Sequence, residues 1–532
     1  MEFGFIGTYC YLKKDENILN HFSKNNIELH HSQLRSHIMN KIIITLIFST
    51  FLLADFSANV QVSANAGSYN KMPDIAVDGN GTVHVVWINN DNNKNVFYAK
   101  STDHGGTFST PVQINMHNGY VSDIMYSGPK IAVFGGLIHV IWADQRNGYD
   151  ETNIFYSQST DGGDTWTEEV PIGDVSAFNL YPEIITSELG EIHVIYYSYN
   201  RRFLNFEYIF HIASSDSGQT FSDDEIVNNY TEAIPCECCP AEILILNDGT
   251  KMVGFRNDNN DIRDTFATFS GADETEWGSL TRLSFDDYII SACPSSGPGM
   301  SRLGEEVAIS YMAAMDNTKK VFLKVSHDDA SSLSDSILVD PSAAADIRQD
   351  HPYTAITDGN WIHVIWEDQR GGNDIYYGGM NVSSGGLSNI QVLNDDGLDV
   401  TQMAPQMDDD GHFVYIVWED YRDTQQIYFT SNYDPDANVG DEINPTAFEI
   451  HGVYPNPFNN NLAIDFSLKQ PSEIKLAVID ISGRAVKNQS FGHYSPGNHS
   501  ISWNGKIHSA GVYFIQLTSD QAVQTRKVLY LK

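Results

Sequence analysis

Basic residues are scarce in this chain of 532: 31 lysines and arginines face 69 aspartates and glutamates, a formal charge of -38. A field of that sign repels polyphosphates and anionic lipid surfaces. Nucleic acid is thereby excluded as a partner, and an anionic ligand is held only where arginines cluster locally. Long hydrophobic runs are missing as well. The run at 42–54, in MNKIIITLIFSTFLLADFSA, falls short of the roughly 20 residues that a membrane span requires. No later stretch is long enough, so no transmembrane span is expected in the mature chain. Cysteine is limited to five residues. What remains is the composition of a soluble globular protein, 41% hydrophobic and 12% aromatic with 40 glycines. Its length is too great for one ordinary core.

The short apolar run, preceded by Met39 and Lys41, has the grammar of a secretory signal. Residues 1–38 carry no periodic pattern and read as an over-extended, disordered gene start, with 39–58 as the signal peptide. Cys10 falls in that leader. Cys236, Cys238, Cys239 and Cys293 remain, an even number in an oxidising compartment, where disulfides are favoured over thiolate chemistry. A bridge between adjacent Cys238 and Cys239 is strained, so Cys293 joined to one residue of the CECC run is the preferred pairing. A thiolate metal site is the rival. C-x-C-C is not a usual zinc spacing, and no metal is assigned.

Seven related segments organise the chain. VHVVW ends at Trp87, IHVIW at Trp142, IHVIY at Tyr196, KMVGF at Phe255, VAISY at Tyr311, IHVIW at Trp366 and VYIVW at Trp418, at intervals of 55, 54, 59, 56, 55 and 52 residues. A period near 55 with alternating apolar positions is that of a repeated small sheet, the way a β-propeller is written. Each copy carries four strand-like segments, of the types PDIAVD, HVVW, NVFYAKS and PVQIN. The last copy lacks its fourth. The segment NVQVS at 59–63 matches the missing type, so the N-terminal strand is expected to close the ring and remove an exposed edge. An all-β, seven-bladed propeller follows, with six blades the alternative.

Between the third and fourth segments stands a repeated turn. It occurs as STDHGGTF (Ser101, Asp103, Gly105, Thr107, Phe108), as STDGGDTW (Ser159, Asp161, Gly163, Thr165, Trp166) and as SSDSGQTF (Ser214, Asp216, Gly218, Thr220, Phe221). SHDDASSL from Ser326 is a decayed copy. Glycine supplies a backbone conformation closed to other residues, the aspartate accepts turn N–H bonds, and the aromatic packs on the sheet. This is the Asp-box, and the chain here resembles the sialidase, or bacterial-neuraminidase-repeat, superfamily of propellers. In that family the boxes are structural and face away from the ligand, which implies no catalytic role for them here.

The opposite rim gathers the second-to-third and fourth-to-first connections. Asp144 with Arg146, Asp368 with Arg370 and Asp420 with Arg422 recur at one repeat position, which points to bidentate salt bridges tying neighbouring blades. His84, His139, His193 and His363 share another position and read as strand-face residues, not metal ligands. Arg256, Arg263, Asp264, Arg348 and Asp350 have no copies elsewhere. With Tyr197 as a stacking aromatic, beside Tyr149 and Tyr421, they are the candidate ligand-binding residues. The acidic loops NNDNNKN and DDDGH lack the ordered spacing of a calcium loop, so no cofactor is assigned and calcium is only a weak alternative. The order CECC, F-R-x-D, I-R-D and CPSSGP resembles a subgroup of uncharacterised sialidase-like repeat proteins over 59–436. It implies the fold and no activity.

Sialidases hold the carboxylate of sialic acid with three arginines and use a Tyr-Glu nucleophile with an aspartate as acid/base. The family's first arginine stands in an R-I-P motif. None occurs here, and the exported part has no arginine before Arg146, so the catalytic residues stay unassigned. The resemblance then implies recognition of extracellular glycans or glycoproteins by the loop rim. An exo-sialidase or glycoside hydrolase with a rearranged site, and an adhesin or protein-interaction scaffold, are the alternatives.

After a polar linker at 437–447 the pattern becomes that of a small Ig-like β-sandwich over 448–532. Its YPNPF opening, the D-x-x-G-R turn from Asp480 to Arg484, Trp503, the GVYF strand and the closing Lys532 resemble the type A sorting domain of the type IX secretion system. That resemblance implies the type IX machinery as a partner and a secreted or outer-membrane surface location.

Overall fold

The computed structural model of the chain describes residues 56–434 and 448–531, apart from short internal stretches that include 149–150, 200–206, 229–233, 291–293 and 505–510. Residues 1–38, the signal segment as far as 55, the linker 437–447, Cys10, Cys293 and Tyr149 lie outside the described residues. Among the described residues no α-helix occurs, and no helix is long and apolar enough to cross a membrane.

Seven four-stranded antiparallel sheets follow one another. Sheet 1 runs through Asn70–Val77, Val83–Asn89, Asn95–Ser101 and Val112–Gln113, and sheet 2 through Lys130–Phe134, Leu137–Asp144, Asn153–Ser159 and Val170–Ile172. Sheet 3 begins at Phe178–Thr186, sheet 4 at Glu242–Ile245, sheet 5 at Gly299–Leu303 and sheet 6 at Gln349–Thr357. Sheet 7 takes three strands from the end of the repeats, Gln402–Asp409, Val414–Asp420 and Gln426–Ser431, and its fourth from the start, Val60–Gln61. Val60 pairs with Phe429 and Gln61 with Tyr428. First strands of successive sheets pack side by side in a cycle, that of sheet 7 returning to that of sheet 1. The arrangement is all-β and consistent with a sialidase-like propeller.

Apolar layers lie between neighbouring sheets. Trp142 of sheet 2 joins Val86 and Ile88 of sheet 1, and Trp87 of sheet 1 joins Val417 and Phe429 of sheet 7. The repeated turns add a second tie. In each, the aspartate accepts the serine hydroxyl and both N–H and O–H of the threonine: Asp103 from Ser101 (2.6 Å) and Thr107 (2.9 and 2.8 Å). The glycine sits on an aromatic ring of the preceding sheet. A Cβ on Gly163, whose φ is +89°, would lie 2.2 Å from Tyr98 Oη, so both backbone and space demand glycine. Trp166 packs edge-on against that same Tyr98 at 5.1 Å, as Phe108 does on Phe429 and Phe221 on Tyr156. The decayed copy keeps the hydrogen bonds: Asp328 accepts from Ser326 and Ser332, with Ala330 at positive φ in the glycine's place.

Residues 448–530 form two further sheets. One orders Phe448–Tyr454, Asn461–Leu468 and Gly497–Asn504; the other orders Ala485–Tyr494, Ser472–Asp480, Gly511–Thr518 and Val523–Tyr530. Strict alternation in Leu462, Ile464, Phe466 and in Ile474, Leu476, Val478 sends one face of each sheet into a shared core around Trp503.

Candidate functional site

Every first strand is preceded or interrupted by proline. Pro73, Pro129, Pro182, Pro240, Pro298, Pro352 and Pro405, one per sheet, line a single central mouth. Proline has no N–H for a ladder and is tolerated where the inner strand is an edge or bulges. The register shifts in sheets 1, 3, 6 and 7 fall at these prolines. There the preceding residues, Met72, Tyr181, His351 and Ala404, are held at positive φ. Their N–H groups are fixed by the previous sheet: Glu419 accepts from Met72, Ser127 from Tyr181, Ser296 from His351 and Glu367 from Ala404. Tyr181 and His351 consequently line the mouth.

His351 is the centre of this mouth's chemistry. Its ring stacks on Tyr126 at 4.2 Å and 19°, Nε2 lies 3.0 Å from the Ser295 carbonyl, and Nδ1 lies 3.3 Å from Glu367. Burial works against the imidazolium, but Glu367 and Asp350 outweigh it and raise the pKa to about 9. Asp350 is itself paired with Lys319. The mouth leaves only about 40 Å³ open, room for a few waters.

Below the prolines the channel widens to about 380 Å³, lined by first-strand residues from Asp74 to Asp409. Lys130, Glu242, Tyr353 and Gln406 line both spaces. Lys130 Nζ lies 2.7 Å from Glu183 and 3.5 Å from Asp74, while Gln406 donates to Tyr353 Oη at 2.7 Å. Burial pushes Asp74 up to about 7 and, with the Glu183 charge beside it, holds Glu242 well above the carboxylate range. The waist therefore holds two carboxyl groups raised by burial beside the Lys130–Glu183 ion pair.

The residues singled out by sequence fall into two groups. Arg348 is exposed just ahead of the strand that carries His351, and Asp350 is half-buried on that strand, in register with Glu367. Of the other four, Arg256, Arg263 and Tyr197 touch the cysteine loop. Arg256, 1% exposed, donates to the carbonyls of Ser296, Arg263 and Met312. Arg263 donates to Ile290 O and Cys236 Sγ and pairs with Asp258 at 3.0 Å. Asp264 accepts from Arg282 and Ser284, and buried Tyr197 donates to Cys239 O at 2.9 Å. Cys238 is disulfide-bonded, whereas Cys236 and Cys239 are free and buried. The three sulfurs lie within 4.8 Å of one another, but the bridge at Cys238 removes one from metal binding.

The Asp-x-Arg pairs differ from their expected role. Each fork closes inside its own sheet: Arg146 Nε and Nη2 both lie 2.8 Å from Asp144, because alternate residues past a strand end share a face. The aspartate also accepts from the tryptophan of its repeat, as Asp368 does from Trp366 and Asp420 from Trp418. The tie to the neighbouring sheet is a further carboxylate, Asp340 for Arg370 and Asp395 for Arg422. The repeated histidines are buried; His84, His139 and His363 lie 2.7, 2.8 and 2.8 Å from a tyrosine hydroxyl. In the acidic loops, Asp91 accepts from Ser68 N and Asp410 from Phe413 N.

The mouth itself was missed from sequence. Its signal was present, a proline ahead of each HVVW-type strand, but only their repetition at the blade period distinguishes these from turn prolines.

Residues 452–530 match the family described as the secretion system C-terminal sorting domain. The protein is thus a cargo of type IX secretion, destined for the cell surface or the extracellular space. No curated protein matches the chain. Among solved structures it is similar to a Hadza microbial sialidase, at 16% identity over 58% of this chain and 65% of that one, with a TM-score of 0.43. The chain thus spans slightly less than two thirds of that sialidase. An ulvan lyase bound to -[GlcA(1-4)Rha3S]- is similar at 13% identity over 70% of this chain and 94% of the other, with a TM-score of 0.48. An intramolecular trans-sialidase from Ruminococcus gnavus is similar at 12% identity over 65% and 98%, with a TM-score of 0.42.

Proposed function

We propose that residues 59–436 are a seven-bladed sialidase-like propeller that recognises extracellular glycans or glycoproteins, and that 448–532 are an Ig-like sorting module. The carrying observation is the Tyr126–His351 stack at the central mouth, flanked by Tyr181, Asp350 and Glu367. An aromatic face beside fixed donors and acceptors suits a sugar ring, whose faces are apolar and whose edges carry hydroxyls. With so little space inside the mouth, the sugar is proposed to lie across it. Arg348 and Asp350 are proposed as contacts beside His351, while Arg256, Arg263 and Tyr197 brace the cysteine loop and Asp264 holds Arg282. The purified exported protein should bind a subset of an immobilised glycan array. Tyr126→Ala and His351→Ala should each weaken that binding at least about tenfold, roughly 1.4 kcal/mol, and Asp161→Asn on the opposite rim should not. Retained affinity in both mouth variants would sink the assignment.

The waist supports a second reading as a glycoside hydrolase. Burial raises Glu242 and Asp74 above the ordinary carboxylate range beside the Lys130–Glu183 pair, and a carboxyl group raised in this way is what a general acid requires. Release of a fluorescent aryl group from glycosides, abolished by Glu242→Gln, would favour it over binding alone.

A further inference from the structure

Cys236 and Cys239 stand in C-x-x-C spacing inside the CECC run. Their backbones are tied on three sides: Cys236 N donates to Arg256 O at 2.7 Å, Cys239 N to Cys236 O at 3.1 Å, and Tyr197 Oη to Cys239 O at 2.9 Å. Both side chains are fully buried, and their sulfurs lie 2.6 Å apart. That is far inside the roughly 3.5–4.0 Å of non-bonded heavy atoms. One sulfur also has a cationic donor. Arg263 Nη1 lies 2.9 Å from Cys236 Sγ, its guanidinium held in place by Ile290 O and Asp258.

The two thiols are therefore unequal. The hydrogen bond from Cys239, aided by the charges of Arg263 and Arg256, brings Cys236 down to about 7, whereas burial pushes Cys239 well up. A thiolate is the nucleophile of thiol–disulfide exchange, so Cys236 is placed to attack and Cys239 to resolve.

We propose that Cys236 and Cys239 close a second disulfide in the exported protein, beside the one at Cys238, by exchange with an external disulfide while the loop folds. The Cys236 thiolate attacks one sulfur of the external disulfide, forming a mixed disulfide and expelling the other sulfur as a thiolate. Cys239 then loses its proton and attacks Cys236 Sγ, expelling the second. Two protein thiols are oxidised and one external disulfide is reduced to two thiols. Burial of both sulfurs means that exchange precedes the sealing of the loop. The bridge fixes the segment leading to Pro240, which lines the central mouth.

The test is peptide mapping of the full exported protein, unfolded without reductant, alkylated, and cut after glutamate. Glu237 separates Cys236 from Cys238 and Cys239, giving pieces 233–237 and 238–242. The expected result is that these pieces stay joined and that no cysteine in them is alkylated. In Cys239→Ser, the 233–237 piece should come free with Cys236 alkylated, Cys238 remaining bridged. Alkylation of both Cys236 and Cys239 in the unaltered protein would overturn the proposal. So would a Cys236 that stays joined in the Cys239→Ser protein, or one bound zinc or copper per chain in place of the bridge.

Discussion

At His351 burial and charge oppose each other, and charge wins: the imidazolium between Glu367 and Asp350 has a pKa of about 9. An unfolded histidine titrates near 6.5. A folded value above the unfolded one means stability that is fully present below pH about 6.5 and lost as pH rises through 9. His84, His139 and His363 run the other way, with burial pulling each to about 4. Their unfolded forms take up protons first, so the stability they confer falls as pH drops from about 6.5 toward 4. Melting temperature against pH should thus decline on both sides, and His351→Gln should flatten the alkaline side while leaving the acid side in place. An alkaline decline of equal size in the variant would show that the ion pairs at His351 contribute nothing to it. The repeated histidines were legible in sequence because a shared repeat position marks a shared strand face. His351 was not, since its meaning comes from Tyr126, delivered to the centre from the loop ahead of sheet 2, and from Glu367 on the neighbouring strand of its own sheet.

The strands themselves were written plainly. Alternation around each HVVW-type segment gave the second strands, and the unpartnered NVQVS segment supplied the fourth strand of sheet 7, where Val60 pairs with Phe429. What local pattern could not give is how one sheet grips the next. Gly163 seated on Tyr98, Glu419 accepting from Met72 N and Arg422 reaching Asp395 each join residues of different repeats. Register bulges at the prolines were equally hidden, because a proline in an extended segment reads first as a strand edge. The closing strand is the element whose removal tests the ring. Val62 is 1% exposed in the layer between sheets 7 and 1, and burying a valine stabilises by about 1.5–3 kcal/mol. Asn59 adds hydrogen bonds to Leu393 O and Arg422. A protein beginning at residue 64 should therefore melt several degrees lower. Hydrogen exchange should rise first at 426–431, the strand left as an edge, and unaltered protection there would refute closure by this strand.

For the whole molecule, the proposed function depends on delivering a strongly acidic protein to the outside with the proposed binding face intact. The apolar cluster around Trp503 is built solely from residues between Ile450 and Tyr530, so the sorting module carries its own core. Among the described residues, none of the layers around Trp87, Trp142 or Trp366 includes a residue of that module. Two separate cores let address and recognition be divided: the module can be read by the secretion machinery, or removed, without opening a layer between the seven sheets. Deleting 448–532 should accordingly abolish appearance of the protein at the cell surface and in the medium, leaving it on the periplasmic side of the outer membrane. The retained protein should keep the melting temperature of the seven-sheet part and the glycan binding proposed for it. Cell fractionation and calorimetry on the same preparation test both halves. Wild-type amounts of truncated protein outside the cell would remove the module's role as the address, and a retained but unfolded protein would show that the two cores are not independent.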